Sequence, residues 1–136
     1  MAGLFDTPIT PPLRVVLEEV RNGVILLPEF QRPFIWNEEQ RLDLMDSIAK
    51  GMPIGTLLVW RTLKHDLGTL PNLGPHRLRE KPKDGPRTYL IDGHQRLTTL
   101  YAALTPGEES SLVSETGERW PIYMDLQGNE NDRLFV

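Results

Sequence analysis

The chain has 136 residues, of which 39% are hydrophobic and 25% charged, a composition typical of one ordinary globular domain. It contains no cysteine, which excludes disulfide bonds, thiolate metal sites and a cysteine nucleophile, and its net charge of −4 gives no general attraction for nucleic acid. Because the sequence has neither a secretory signal nor an apolar stretch of the roughly 20 residues that a membrane helix needs, we expect a cytoplasmic protein without membrane contact.

Apolar stripes with capping signals at their ends predict three helices. The first follows a potential cap at Thr10 and carries apolar residues three and four positions apart. Asn37 and Gln40 have the spacing of a capping box that opens the second helix, which Gly51 ends. The third helix has its apolar stripe between residues 97 and 104.

Four short apolar or alternating segments predict strands. Residues 24–27 and 88–91 read as short strands, and the apolar run at 57–60 is typical of a strand covered on both faces. Residues 121–126 alternate as a half-buried strand. Helices that alternate with short strands indicate a small α/β or α+β domain around one sheet. The apolar end of the sequence suggests a domain cut from a longer protein.

A long segment between the second and third predicted strands has no useful period. Residues 64–84 are rich in proline, glycine and charge, so we expect this loop to be mobile or thinly packed. Residues 61–87 carry seven basic and three acidic side chains, a local net charge of +4. Two explanations stay open, a solvated loop or an arm that touches a nucleic-acid backbone.

The sharpest chemical signal is the run Asp-Gly-His-Gln-Arg at residues 92–96, where the third predicted strand turns into the third helix. The N-terminus of a helix offers free N–H groups to a phosphate, Gly93 allows close approach, and Arg96 can clamp phosphate oxygens. A carboxylate at Asp92 repels phosphate, but it suits a divalent metal or a bound water. The alternative is purely structural, with Asp92 as a helix cap and Gln95 as its capping-box partner. We expect Arg96→Ala to weaken nucleotide binding and to leave the fold intact without a core cavity, because the apolar stripe of the helix carries the packing.

A second polar block, Gln31 and Arg32, precedes Pro33 in an extended segment. The capping explanation leaves this block without a role. We therefore predict that it converges with residues 92–96 in one cleft. Trp36 and Trp60 are expected to pack in the core or at its rim.

Four blocks occur together and in order: LPEFQRPFIW at 27–36, LMDSI at 44–48, GMPIG at 51–55 and YLIDGHQRLTTL at 89–100. With these blocks the chain resembles the N-terminal domain of GmrSD-type restriction enzymes, which are modification-dependent, anti-phage endonucleases. The resemblance implies a single ParB/sulfiredoxin-like domain over residues 1–136, with an α+β fold of a small mixed sheet and flanking helices. The family signature is Asp-Gly-Gln-Gln-Arg, and His94 replaces its first glutamine here.

The resemblance also implies a nucleoside triphosphate-binding and hydrolysing regulatory domain of a restriction protein, with Mg²⁺ bound at Asp92. The catalytic residues that it implies are Asp92, His94 and Gln95. The nucleotide-binding residues that it implies are Gln31, Arg32, Gly93 and Arg96. Its expected partners are the nucleotide, DNA through the full-length protein, and a downstream or partner nuclease domain.

Two other functions stay open. The first is a non-hydrolysing module that senses a nucleotide or modified DNA, as a ParB-like switch. The second is an inactive structural remnant. No nuclease activity is expected of these residues alone.

Overall fold

A computed structural model describes residues 8–73, 76–105, 112–113, 119–120, 122–129 and 131–136. Within these ranges the chain has an α+β fold, as predicted, and no helix there is long and apolar enough to cross a membrane. The helices, in order, are α1 (Leu13–Arg21), α2 (Glu38–Ala49) and α3 (His94–Leu104). The strands, in order, are β1 (Ile25–Leu26), β2 (Leu58–Thr62), β3 (Asn72–Leu73), β4 (His76–Arg77), β5 (Arg87–Asp92), β6 (Leu112–Val113) and β7 (Arg119–Trp120).

The central sheet is mixed and has the strand order β1-β5-β2. The middle strand, β5, runs parallel to β1, with Leu26 opposite Tyr89, and antiparallel to β2, with Trp60 opposite Tyr89. Strand β5 is the middle strand and ends at Asp92, so Asp92 lies at one end of the sheet. Gly93 and α3 follow immediately.

Helix α3 is held by two hydrophobic clusters. Leu97 and Tyr101 pack with Leu90 of β5 in the larger cluster. Leu100 packs with Leu44 and Met45 of α2 in the smaller one. Burying a side chain of this size contributes about 1.5–3 kcal/mol, so α3 is fixed against both the sheet and α2.

Helix starts are determined by local residues to different degrees. Asn37 caps α2, and its side chain and that of Gln40 form the predicted reciprocal capping box. The predicted cap at Thr10 is wrong, because the structure places the N-cap of α1 at Pro12, without a side-chain hydrogen bond.

Two strand predictions are wrong about burial. Strand β2 is an edge strand with β5 on one side only, and Leu58 there is 57% exposed rather than covered on both faces. The expected half-buried strand at 121–126 is a single bridge from Met124 to Phe135, and Leu126 is 86% exposed. Pro121 lies outside the described residues.

The long segment at 64–84 is more tightly packed than predicted. Leu73 is only 2% exposed in the main core, and Leu70 and Leu78 pack partly against that core. The Leu67 N–H donates to the Tyr89 hydroxyl over 3.0 Å. Thin packing is therefore contradicted at Leu73, whereas Leu67 and Leu70 are only half-buried. Residues 74–75 lie outside the described ranges.

Candidate functional site

The two polar blocks lie in one cleft, which confirms the predicted convergence. The Gln31 side chain donates a 2.9 Å hydrogen bond to the carbonyl of Leu90 in β5, across 59 positions of sequence. This bond brings the first block to the end of the central strand. The cleft has a volume of about 210 Å³, and its lining residues are Gln31, Arg32, Trp36, Asp92, Gly93, His94, Gln95 and Arg96.

The N-terminus of α3 has no side-chain cap. Gly93 occupies the cap position with φ +101°, and the described part of the chain shows no side-chain hydrogen bond that caps this helix start. The capping explanation for Asp92 and Gln95 is therefore wrong. Asp92 ends β5, and Gln95 bonds elsewhere. An uncapped helix start carries partial positive charge, so this end of the cleft can receive an anion.

Gly93 is required by its backbone angle and by its neighbours. A side chain there would meet the Leu57 Cδ2 atom, and its Cβ would lie 3.3 Å from a terminal guanidinium nitrogen of Arg96. At φ +101° any L side chain is also strained. The turn between β5 and α3 can therefore approach both neighbours only with glycine.

The side chain of Gln95 binds the backbone of the opposite wall of the cleft. Its Oε1 accepts from the N–H groups of Ile35 at 2.9 Å and Trp36 at 3.3 Å. Its Nε2 donates to the carbonyl of Pro33 over 3.1 Å. One side chain thus satisfies three backbone groups of the irregular segment between β1 and α2.

Arg96 does the same for a second segment. Its two terminal nitrogens donate to the carbonyls of Ile54 and Thr56, each over 2.9 Å. Between them, Gly55 leaves the necessary space, since a Cβ there would lie 2.7 Å from the Arg96 guanidinium. The guanidinium of Arg96 therefore anchors the 54–56 backbone, a structural contact that its expected role as a phosphate clamp did not include.

Other charged groups of the cleft are less engaged. Arg32 is exposed and forms no hydrogen bond or ion pair within the described part of the chain. Asp92 has a side chain that is 75% exposed, with its nearest described cation, Arg96, 4.0 Å away. The cleft therefore offers one accessible cation and one accessible carboxylate.

His94 is the half-buried member of the cleft. Its Nδ1 is buried without a hydrogen-bond partner among the described residues. Burial lowers the pKa of the His94 imidazole below its ordinary value of 6.5. At neutral pH the ring is uncharged, so it can accept or donate a hydrogen bond but adds no fixed positive charge.

A cation at this site has few protein ligands available. Among the described residues no group of three histidines and carboxylates is arranged to hold a metal ion. Mg²⁺ often binds through one or two carboxylates together with water and the phosphates of its ligand. The single accessible carboxylate of Asp92 fits that kind of shared coordination, and it does not fit a dedicated metal cage.

The basic segment at 61–87 is partly neutralised. Lys81 and Arg87 both pair with Asp66, at 2.5 and 3.3 Å. Arg61 pairs in register with Thr88, near the start of β5 and away from Asp92 at its end. These contacts favour the solvated-loop explanation for part of the charge and place Arg61 outside the cleft.

Comparison with known proteins agrees with the geometry. A family profile described as GmrSD restriction endonuclease, N-terminal domain, matches residues 13–135. The chain belongs to this family. It is also 32% identical over 121 residues to an uncharacterized protein of Methanocaldococcus jannaschii, which covers 86% of this chain. This chain spans only 20% of the length of that relative. No solved structure matches it, so ParB-like topology stays a prediction.

Two parts of this GmrSD N-terminal domain's cleft were missed by sequence reasoning. Trp36 lines the cleft as well as packing against the smaller core cluster. The backbone at Ile54 and Thr56 supports the cleft through its hydrogen bonds to Arg96, which lines it. Gly55 was the available signal, because a glycine in an irregular segment often marks the close approach of another group.

Proposed function

We propose that this GmrSD N-terminal domain binds a nucleoside triphosphate in the cleft and hydrolyses its terminal phosphate, as the regulatory part of a restriction and phage-defence protein. The observation that carries the proposal is the uncapped start of α3, which opens into the same cleft as Arg32 and His94. Backbone N–H groups, a helix dipole and a guanidinium together are a favourable arrangement for phosphate.

Phosphate recognition divides between backbone and side chain. The first turn of α3, an 11-residue helix, supplies N–H groups and a positive dipole end. Arg32 adds a full positive charge that no described protein group neutralises. Gly93 keeps the turn free of a side chain, so the phosphate can approach the backbone closely.

Hydrolysis requires an oriented water and neutralisation of phosphate charge. Water attacks the terminal phosphorus as the bond to the bridging oxygen breaks, which yields a nucleoside diphosphate and inorganic phosphate. Mg²⁺, when bound, neutralises charge on the phosphate oxygens. Asp92 holds the metal or positions the water, and the neutral His94 ring accepts a hydrogen bond from the water.

A non-hydrolysing switch is the second candidate function. The observation that favours it is the scarcity of acidic groups, since Asp92 is the only carboxylate among the residues that line the cleft. A nucleotide could then be bound on the helix start and held without turnover. In either case we propose that the signal passes to a nuclease domain of the full-length protein, which acts on DNA.

Phosphate release tests the proposal directly. Purified protein is mixed with ATP or GTP, with and without Mg²⁺, and both nucleotide binding and phosphate release are measured for wild type, Asp92→Asn and the exposed control Asp84→Asn. We expect metal-dependent release that Asp92→Asn abolishes and Asp84→Asn leaves unchanged. Binding without release at any Mg²⁺ concentration establishes the switch, and the absence of binding refutes both functions.

A further inference from the structure

We infer that Gln95 and Arg96 are positioning residues that fix two backbone segments beside the cleft, and that Arg32 is the side chain that supplies positive charge to an anionic ligand. The inference rests on the proposed function only for the ligand, a phosphate-bearing nucleotide. It assigns different tasks to two arginines that line the same cavity.

The Arg96 guanidinium is surrounded by backbone carbonyls and glycines. Its guanidinium donates to two backbone carbonyls, and its side chain is only 19% exposed. Glycines border the guanidinium on two sides, since a Cβ at Gly55 would lie 2.7 Å and one at Gly93 3.3 Å from its terminal nitrogens. Each terminal nitrogen keeps a second N–H, but the two bonds to the 54–56 backbone fix the position of the guanidinium in the cleft.

Gln95 is engaged in the same way. Its carbonyl oxygen already accepts two N–H groups, which fills both lone pairs of an amide oxygen, and its nitrogen donates to Pro33. Little hydrogen-bonding capacity is left for a ligand or a water. Through these three hydrogen bonds Gln95 holds the backbone of residues 33–36, and we call this set of bonds the Gln95 clasp.

Arg32 differs from Gln95 and Arg96 in both its exposure and its hydrogen bonding. It is exposed, it lines the cleft, and it has no hydrogen bond or ion pair within the described ranges. Its neighbour Gln31 is tied to the Leu90 carbonyl, which fixes the backbone that carries Arg32. The guanidinium of Arg32 is therefore available to a ligand, while the backbone next to it is held against β5 by Gln31.

Adjacent residues of α3 thus fix two separate backbone segments beside the cleft. Gln95 holds residues 33–36 and Arg96 holds residues 54–56. Loss of either clasp alters the shape of the cleft without removing the ligand's charge partner. Loss of Arg32 removes the charge partner and leaves the shape intact.

Amide hydrogen exchange without nucleotide tests the Gln95 clasp. In Gln95→Met the amides of Ile35 and Trp36 lose their acceptor, so we expect exchange roughly 2- to 12-fold faster, the range for one net hydrogen bond. Gln95→Glu keeps an acceptor oxygen and should restore most of the protection. The exposed Gln127→Met is the matched control. Unchanged exchange in Gln95→Met refutes the clasp. If that variant does not fold, loss of protection in Gln95→Glu refutes it.

The salt dependence of binding separates the two arginines. ATP and inorganic tripolyphosphate are titrated at several salt concentrations against Arg32→Gln, Arg96→Lys and the exposed helix control Arg14→Gln. We expect Arg32→Gln to weaken binding by about 10-fold or more, to flatten the salt dependence and to leave the melting temperature unchanged.

Arg96→Lys keeps the positive charge but loses the planar guanidinium whose two nitrogens bind two carbonyls. We expect it to retain the wild-type salt dependence while lowering affinity and melting temperature together, because one ammonium cannot hold both carbonyls. The inference is refuted if Arg96→Lys matches wild type in affinity and stability, or if Arg32→Gln leaves the salt dependence intact. If wild type binds neither probe, the proposed function fails, and the exchange experiment still decides the clasp.

Discussion

Replacing Gly93 with alanine tests the tightest turn of the cleft. The new Cβ meets Leu57 and lies 3.3 Å from the Arg96 guanidinium, at a residue whose φ is +101°. The left-handed backbone alone costs an L residue about 1–2 kcal/mol. Crowding adds about 1–2 kcal/mol, the low end of the range for overpacking, because the Leu57 methyl can turn aside at the expense of its own packing.

A matched control removes the crowding and keeps the strain. Gly85 has φ +91° and nothing within 4 Å of an added Cβ. We therefore expect Gly85→Ala to lower the free energy of unfolding by about 1–2 kcal/mol and Gly93→Ala by about 2–4 kcal/mol. Urea unfolding followed by circular dichroism measures both. Equal losses in the two variants would refute the steric part of the reasoning.

The Leu57 contact can then be isolated by a double-mutant cycle. In a Leu57→Ala background the methyl that Gly93→Ala meets is gone, so the second substitution should cost about 1 kcal/mol less than it does in wild type. Additive losses would show that Leu57 is not the group that must move. Nucleotide binding measured on the same variants reports whether the displaced turn also damages the start of α3.

Asn37→Ala removes the side-chain acceptor of the α2 capping box, while the backbone N–H of residue 37 can still donate to Gln40; it should lower the free energy of unfolding by about 1 kcal/mol in urea titrations, whereas an unchanged midpoint would contradict the cap. Burial lowers the pKa of His94 below 6.5, so the unfolded chain takes up a proton first as the pH falls, and wild type loses stability below about pH 6.5. His94→Gln should therefore lose less stability than wild type between about pH 7.5 and 5.5, and parallel losses would contradict the assignment. Hydrogen bonds from Lys50 and from the Leu134 N–H lower the pKa of Asp46 below its ordinary 3.8, so its contribution is present above pH 3.8 and lost as the pH falls through the lowered value. The protection factor of the Leu134 amide, which compares its exchange with that of an unstructured amide at the same pH, should fall only in that acid range, and a fall already at pH 6 would contradict this.

Local chemistry made the helices predictable. The Asn37 and Gln40 pair lies within one turn of chain, so its spacing alone determined where α2 begins. The convergence of Gln31 with residues 92–96 was also predictable, because two unexplained polar blocks beside turns pointed to a shared site.

Features that depend on distant parts of the chain were not predictable from local patterns. An apolar segment such as β2 has the same sequence pattern at the centre and at the edge of a sheet. The segment alone therefore does not predict which strands lie beside it. Arg96 matched a phosphate clamp by residue type and position. Its partners are backbone carbonyls about 40 positions earlier, and backbone carbonyls have no sequence signature.

The hydrogen bond from Gln31 to Leu90 also sets an order of events during synthesis. At about 5–20 residues per second, a ribosome adds the 59 positions between them in roughly 3–12 s. Throughout that interval Gln31 and Arg32 have no strand to attach to, since β5 does not yet exist. The cleft of a nascent chain therefore cannot form before β5 and the start of α3 have been synthesised.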